Sequence, residues 1–265
     1  MPFIYKNYNL SARAVEVPDG IMRKTPRKGQ HLPAVPAAQQ RPADGGIRRR
    51  RAGRPSSAVL DKAGITAAAL ELVSRKGYDG LTMAALAKEL DVAPSALYNH
   101  VTSKQDVLLL VEDHLMSLVD VSGFGTGTWE EAVRRWAWSY RDVFAEHTPL
   151  IPVIAVLPVT DAPQTLAMYE TVSKGFLDAG FPPEQIIPAI VALESFIFGS
   201  AYDVTAPADI FDSGTMAEST PHFTAAVRDA AAGAGRGRPA DTAFSLGLDA
   251  LVSGLGVLRR ANPME

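Results

Sequence analysis

Leu60-Asp61-Lys62-Ala63-Gly64-Ile65 opens a stretch that continues through Ala68-Ala69-Leu70-Glu71-Leu72 and Gly77-Tyr78-Asp79-Gly80-Leu81-Thr82. It then runs through Leu86-Ala87-Lys88-Glu89-Leu90-Asp91-Val92, Ala96-Leu97-Tyr98-Asn99-His100-Val101 and Ser103-Lys104. Asp61 is a good N-cap, because its carboxylate can accept a free backbone N–H of the first turn. Ile65, Ala68, Ala69, Leu72 and Val73 then recur with the helical period, and Gly77 after Arg75-Lys76 is a typical stop. Thr82 caps a second, short helix whose apolar face is Leu86, Ala87 and Leu90. Asp91-Val92 turns the chain, and a third helix runs from about Pro94 to His100. Ser103 with Asp106 resembles a capping box at the head of a long fourth helix through Val107, Leu108, Val111, Leu115 and Leu118, ending near Val121-Ser122-Gly123.

Two short helices joined by a tight turn make a helix-turn-helix. The second places Leu97 and Val101 toward the core and leaves Ser95, Ala96, Asn99 and His100 outside. A short helix with that surface fits a major groove, where Asn and His hydrogen-bond base edges and Ala meets a thymine methyl. Short helical hairpins also serve as plain packing units, and the geometry alone leaves both readings open.

The run from Leu60 to Leu118, in order and in spacing, closely resembles the DNA-binding domain of the TetR family of transcriptional regulators. The resemblance implies that Thr82 sets the N–H groups of its helix on a phosphate, that Tyr98 reaches the DNA backbone through its hydroxyl, and that Lys104 neutralises a phosphate. Ala93, Pro94, Ser95, Ala96, Asn99 and His100 are then the candidate base readers. Two positions depart from common members. Ala84 stands where many carry Arg, which removes one DNA contact, and Asp91 replaces the usual turn Gly. Asp tolerates the left-handed conformation, so the fold is unaffected.

Charge is distributed unevenly around this unit. Residues 1–54 hold 12 Lys/Arg against 3 Asp/Glu, residues 55–120 hold 5 against 9, and residues 121–265 hold 9 against 17. Residues 1–46 are rich in Pro, Gly, Gln and Ala and show no apolar period, so they read as unstructured, with Met22 a candidate alternative start. Arg48, Arg49, Arg50, Arg51 and Arg54 follow just ahead of the first helix. Such a run is either a solvated tail or an arm lying on DNA phosphates, and its position beside a helix-turn-helix raises the second reading. The organisation is therefore expected as a disordered basic extension over 1–54, a helix-turn-helix domain over 55–120 and a regulatory domain over 121–265.

Residues 124–265 also read as helical, so the fold class is all-α. Helices are expected from about Trp129 to Glu146, Thr165 to Ala179, Pro183 to Val204, Phe223 to Ala232 and Asp241 to Arg260. Pro149, Pro152, Pro158 and Pro163 break the segment between His147 and Pro163. This half resembles the regulatory domain of the tetracycline-repressor branch, most clearly at Phe176-Leu177-Asp178-Ala179-Gly180-Phe181 and over 244–255. That implies a homodimer with a four-helix interface and an internal cavity for a small-molecule effector. Helix 183–204 is apolar nearly all round, and the last helix sets Gly247, Ala250, Ser253 and Gly254 beside Leu251 and Leu255. Both are candidates for the interface, with an intrachain core as the alternative.

Aromatic residues concentrate in this half, and a cavity lined by them favours an apolar or aromatic ligand. Trp136, Tyr140, Phe144, His147, Tyr169, Phe176 and Phe196 are the candidate ligand contacts, each with core packing as its alternative. The tetracycline-binding members hold a magnesium-bound drug with a His and a Thr; those places here fall near Val153 and Val156, which ligate no metal. The chain has no Cys, its five His are scattered, and no phosphate-binding loop or Gly-x-Ser-x-Gly is present. No metal, no cofactor and no enzymatic activity are expected. No unbroken apolar run reaches the roughly 18 residues of a membrane span. The expected setting is the cytoplasm, with an operator DNA, a small effector and a second copy of the chain as partners. The readings left in competition are a ligand-released repressor and an activator or partner-responsive regulator.

Overall fold

The computed structural model describes residues 60–233 and 238–261, and every regular element among them is helical. The order is α1 (Lys62–Lys76), α2 (Met83–Glu89), α3 (Pro94–Tyr98), α4 (Lys104–Ser117), α5 (Trp129–Ala145), α6 (Ile151–Ile154), α7 (Pro163–Asp178), α8 (Pro183–Asp203), α9 (Pro221–Gly233) and α10 (Pro239–Ala261). Short 3-10 turns at Tyr78–Gly80, Thr148–Leu150 and Gly214–Met216 join them.

The helix starts follow local capping chemistry. Asp61 accepts the Gly64 N–H at 2.8 Å, Thr82 accepts that of Ala85 at 3.1 Å, and Ser103 accepts that of Asp106 at 3.1 Å. Thr128 and Glu131 form a full capping box on α5. Asp91 takes φ 52°, and its N–H and that of Val92 bond back to Lys88 and Ala87. This is a Schellman stop for α2 with Asp in the glycine position. Gly180 ends α7 the same way at φ 87°, and Phe181 packs onto Phe176 with ring centroids 4.8 Å apart.

The core is continuous from one end to the other. Ile65, Leu72, Leu86, Leu97, Val107 and Leu115 close the helix-turn-helix end. Burying a side chain of this kind contributes about 1.5–3 kcal/mol, which is how so short a helix as α3 is held through Leu97. Trp136, Tyr140, Phe144, Val172, Leu193 and Phe244 continue the same core into the remaining helices. α4 packs against α1 on one side and α7 on the other, and α5 packs against α8 and α10.

Several boundaries differ from the expectation. α3 stops at Tyr98, with Asn99 as its C-cap. α4 stops at Ser117, and Leu118 is 53% exposed. Chain beyond it turns instead through Asp120, whose N–H donates to the Ser139 hydroxyl at 2.8 Å. α7, α9 and α10 begin two residues early, each on a proline, as a fixed φ favours in a first turn.

The membrane expectation needs correction. Helices over Pro183–Asp203 and Pro239–Arg259 are long and apolar enough, by length and composition, to cross a membrane. A search for unbroken apolar runs misses them because charges interrupt each helix, Glu194 in the middle of the first and Asp249 in the middle of the second. Ile186, Ile190, Leu193 and Ile197 of α8, and Phe244, Leu248 and Val252 of α10, lie in the protein core. Ile187, Val191, Leu246, Val257 and Leu258 are exposed on the other faces of the same two helices.

Candidate functional site

α2 and α3 form the helix-turn-helix around the Asp91 turn, with Leu86, Ala87 and Leu97 holding both helices to α1 and α4. Ala93, Pro94 and Ser95 at the start of α3 are exposed, and Ala96 is half-buried. Tyr98, Asn99 and His100 at its end are exposed, Tyr98 by 49%. All seven therefore lie on one short segment whose core anchors are Leu97 and Val101. A free amide and a free imidazole there are able to donate and accept toward base edges.

Lys104 is placed by a contact that spacing did not show. Its Nζ donates to the Tyr78 carbonyl at 3.2 Å and lies 3.6 Å from the Tyr78 ring centroid. The 3-10 turn after α1 thus fixes the cation at the head of α4, beside the end of α3. Asp106 accepts the N–H and hydroxyl of Thr102 at 2.7 and 2.6 Å, which locks the α3–α4 corner and holds its carboxyl below the usual range. Thr82 is exposed at the start of α2. Arg48, Arg49, Arg50, Arg51 and Arg54 lie outside the described residues.

The seven candidate ligand contacts occupy four different places. Trp136, Tyr140 and Phe144 follow one another along the buried face of α5, with Phe198 edge-on to the last two. Tyr169 lies across from them, and its hydroxyl and that of Tyr140 both donate to Glu194 Oε1, at 2.7 and 3.2 Å. Phe176 sits apart, in a cluster with Trp129 and Phe181. Phe196 stacks on Phe244 at 5.3 Å, and Gly247 makes room for it, since a Cβ there would lie 2.5 Å from Phe196 Cζ. Gly247 thus serves this intrachain stack, whereas Gly254 faces open space. His147 is half-buried and lines an open cleft of about 300 Å³ with Leu118, Ser139, Asp142, Val143 and Glu146. Burial pushes its imidazole pKa down. A second cleft, of about 310 Å³, lies beside Trp129 and Arg259. Val153 is half-buried and Val156 is 79% exposed.

Buried charge was missed by pattern reading. Arg141 is fully buried on α5, pairs with Asp241 Oδ1 at 2.9 Å and lies 5.0 and 4.8 Å from the Trp138 and Phe244 ring centroids. Glu112 on α4 is 2% exposed, and its Oε2 has no hydrogen-bond partner among the described residues. Burial, reinforced by the neighbouring charges of Asp113 and Glu194, raises its pKa to about 7. Asp113 beside it accepts the N–H groups of Gln164 and Thr165 at 2.7 and 3.0 Å, and so caps α7 from α4. The only available signal was the placement of single charges inside apolar helices, and that does not say which neighbour each will meet.

Known proteins share this arrangement. Residues 65–111 match the family of bacterial regulatory proteins called tetR, and residues 123–259 match the tetracyclin repressor-like C-terminal domain. A helix-turn-helix transcriptional regulator of Saccharopolyspora erythraea is 28% identical over 202 residues, covering 74% of this chain and 85% of the relative. The class G tetracycline repressor of Vibrio anguillarum is 29% identical over 212 residues, covering 76% and 96%. Among solved structures, ActR of Streptomyces coelicolor without ligand superposes with a TM-score of 0.65 at 26% identity, covering 77% of this chain and 98% of that one. The same protein solved with actinorhodin gives 0.62, covering 74% and 95%. Since the C-terminal match alone spans more than half of the sequence, the chain belongs to the TetR family of DNA-binding transcriptional regulators.

Proposed function

We propose that this regulator is a homodimeric repressor that holds a palindromic operator through α3 and is released by a small apolar or aromatic effector in its C-terminal domain. The observation that carries this reading is the placement of α4. Its first turn is tied to the α3–α4 corner by Asp106 on Thr102 and to the turn after α1 by Lys104 on Tyr78, and its middle packs on α7 through Asp113. Any displacement of α7 by a bound molecule is thereby passed to the recognition helix. The exposed apolar faces of α8 and α10 support self-association, because Ile187, Val191, Leu246, Val257 and Leu258 would otherwise face water. Two-fold pairing would set two copies of α3 on half-sites about one DNA turn, roughly 34 Å, apart. The ActR complex and the tetracycline repressor lend the effector reading their precedent, and a cytoplasmic setting follows from the DNA target.

Selection of random duplex DNA against the purified chain tests the operator. A palindromic motif supports the reading, whereas enrichment of A·T-rich DNA alone would assign binding to the basic arm and refute it. Sedimentation of the chain with and without Ile187→Glu tests the dimer, with a shift to monomer expected in the variant. A reporter behind the selected motif should rise when the gene is deleted; a fall would assign an activator instead.

A further inference from the structure

The polar groups buried between α4, α5, α7 and α8 are unevenly matched. Glu194 accepts from the hydroxyls of Tyr140 and Tyr169, both at Oε1. Glu112 is buried beside it with one carboxyl oxygen unpartnered among the described residues. The neighbouring charges acting on Glu112 are both carboxylates, those of Asp113 and Glu194, and Asp113 already caps α7. Arg141, the fully buried cation on α5, donates through one terminal nitrogen to Asp241, and its Nε and other terminal nitrogen are unpartnered among the described residues, beside the Trp138 and Phe244 rings. Trp136 lies 5.6 Å from Tyr140, ring to ring, and its own indole N–H is also unpartnered among the described residues. A buried acceptor with no donor is costly and is relieved by any ligand that supplies one.

We propose that the effector is an organic cation, an aromatic amine whose protonated nitrogen is held by Glu112 and Glu194 and whose rings lie against Tyr140, Tyr169 and Trp136. This assignment rests on reading the C-terminal domain as the effector-binding one. An uncharged donor satisfies the Glu112 oxygen but does not offset the charge of two neighbouring carboxylates, and an anionic ligand adds a third negative charge to the same core. A cation removes the repulsion between the two carboxylates and gains the faces of the surrounding rings. The two clefts do not reach Glu112 or Glu194. Because Glu112 adjoins Asp113, which caps α7, a ligand held there acts on the contact between α4 and α7.

Proflavine (cationic), acridone (neutral) and anilinonaphthalene sulfonate (anionic) are matched fluorescent probes for the full chain without DNA. Proflavine is expected to bind, with affinity rising from about pH 6 to about pH 8 as Glu112 ionises. Glu112→Gln should weaken it by about tenfold or more, since a charge-assisted contact is lost. Glu194→Gln should weaken it as well, and neither variant should alter acridone binding. Failure of proflavine to bind, equal binding by Glu112→Gln, or tighter binding of the anionic probe overturns the proposal. Release of the operator by acridone, with proflavine unbound, would overturn the cation while leaving the effector domain standing.

Discussion

Replacing Glu112 by Gln should make the protein more stable at neutral and alkaline pH and leave it unchanged at acid pH. Glu112 is 2% exposed, and burial raises its pKa from an ordinary 4.5 to about 7. In the unfolded chain the carboxyl loses its proton near 4.5, whereas in the folded protein it keeps that proton until about 7. Between those values the folded state binds more protons than the unfolded state, so stability falls as pH rises through the window, then levels off above it. The shift is worth at most about 3 kcal/mol, at about 1.4 kcal/mol for each pH unit. The effective dielectric of a protein interior exceeds that of dry protein, so about 2 kcal/mol is expected. Gln has the same shape and no charge, and it escapes the loss entirely. In calorimetric melts at a series of pH values, the variant should match the natural protein at about pH 4 and exceed it near pH 8. The gain should be about 4–8 °C, from the entropy of unfolding a chain of this size. Parallel curves across the whole range would refute the buried, unpaired carboxylate, and so would a variant less stable at alkaline pH.

Other outcomes follow from single contacts. Asn99→Ala should weaken operator binding by about 1–3 kcal/mol in fluorescence anisotropy, yet shift the urea midpoint little, because Asn99 is exposed. An equal loss on every DNA sequence would mark it as a backbone contact instead. Gly247→Ala should destabilise by about 1–3 kcal/mol, because its Cβ would meet Phe196, whereas Gly254→Ala should stabilise the helix by up to about 1 kcal/mol in a monomeric variant. Denaturant titration of both separates the packed glycine from the open one. Deleting residues 1–54 should flatten the salt dependence of DNA binding while leaving the preferred sequence readable. If all five arginines at 48–51 and 54 lie on phosphates, the slope falls by about 4–5. An unchanged slope would show that the basic run does not touch DNA.

How much of this was legible beforehand differs by element. The capping residues Asp61, Thr82 and Ser103, the left-handed Asp91 and the core anchors Leu97 and Val101 were all readable, because each acts within a few positions of itself. The end of α4 was misjudged because Leu118 keeps the apolar period one residue past Ser117, where the chain leaves the helix. The aromatic residues were identified by type, but their sorting was not: Phe176 went to Trp129 and Phe196 to Phe244. Helical spacing says which face of its own helix a ring occupies and nothing about the facing helix.

The amino-acid sequence by itself determined the all-helical class, the helix-turn-helix and which ends of α3 stand exposed, since these depend on caps, turns and a 3.6-residue period written within short windows. Only the tertiary structure decided that Gly247 receives Phe196, that Lys104 rests on Tyr78, and that Asp113 caps α7. It alone brought Glu112 beside Glu194, which lies 82 positions further along the chain. Such pairings join residues far apart in the chain, and they are selected by the shape and electrostatics of the packed core rather than by any local preference.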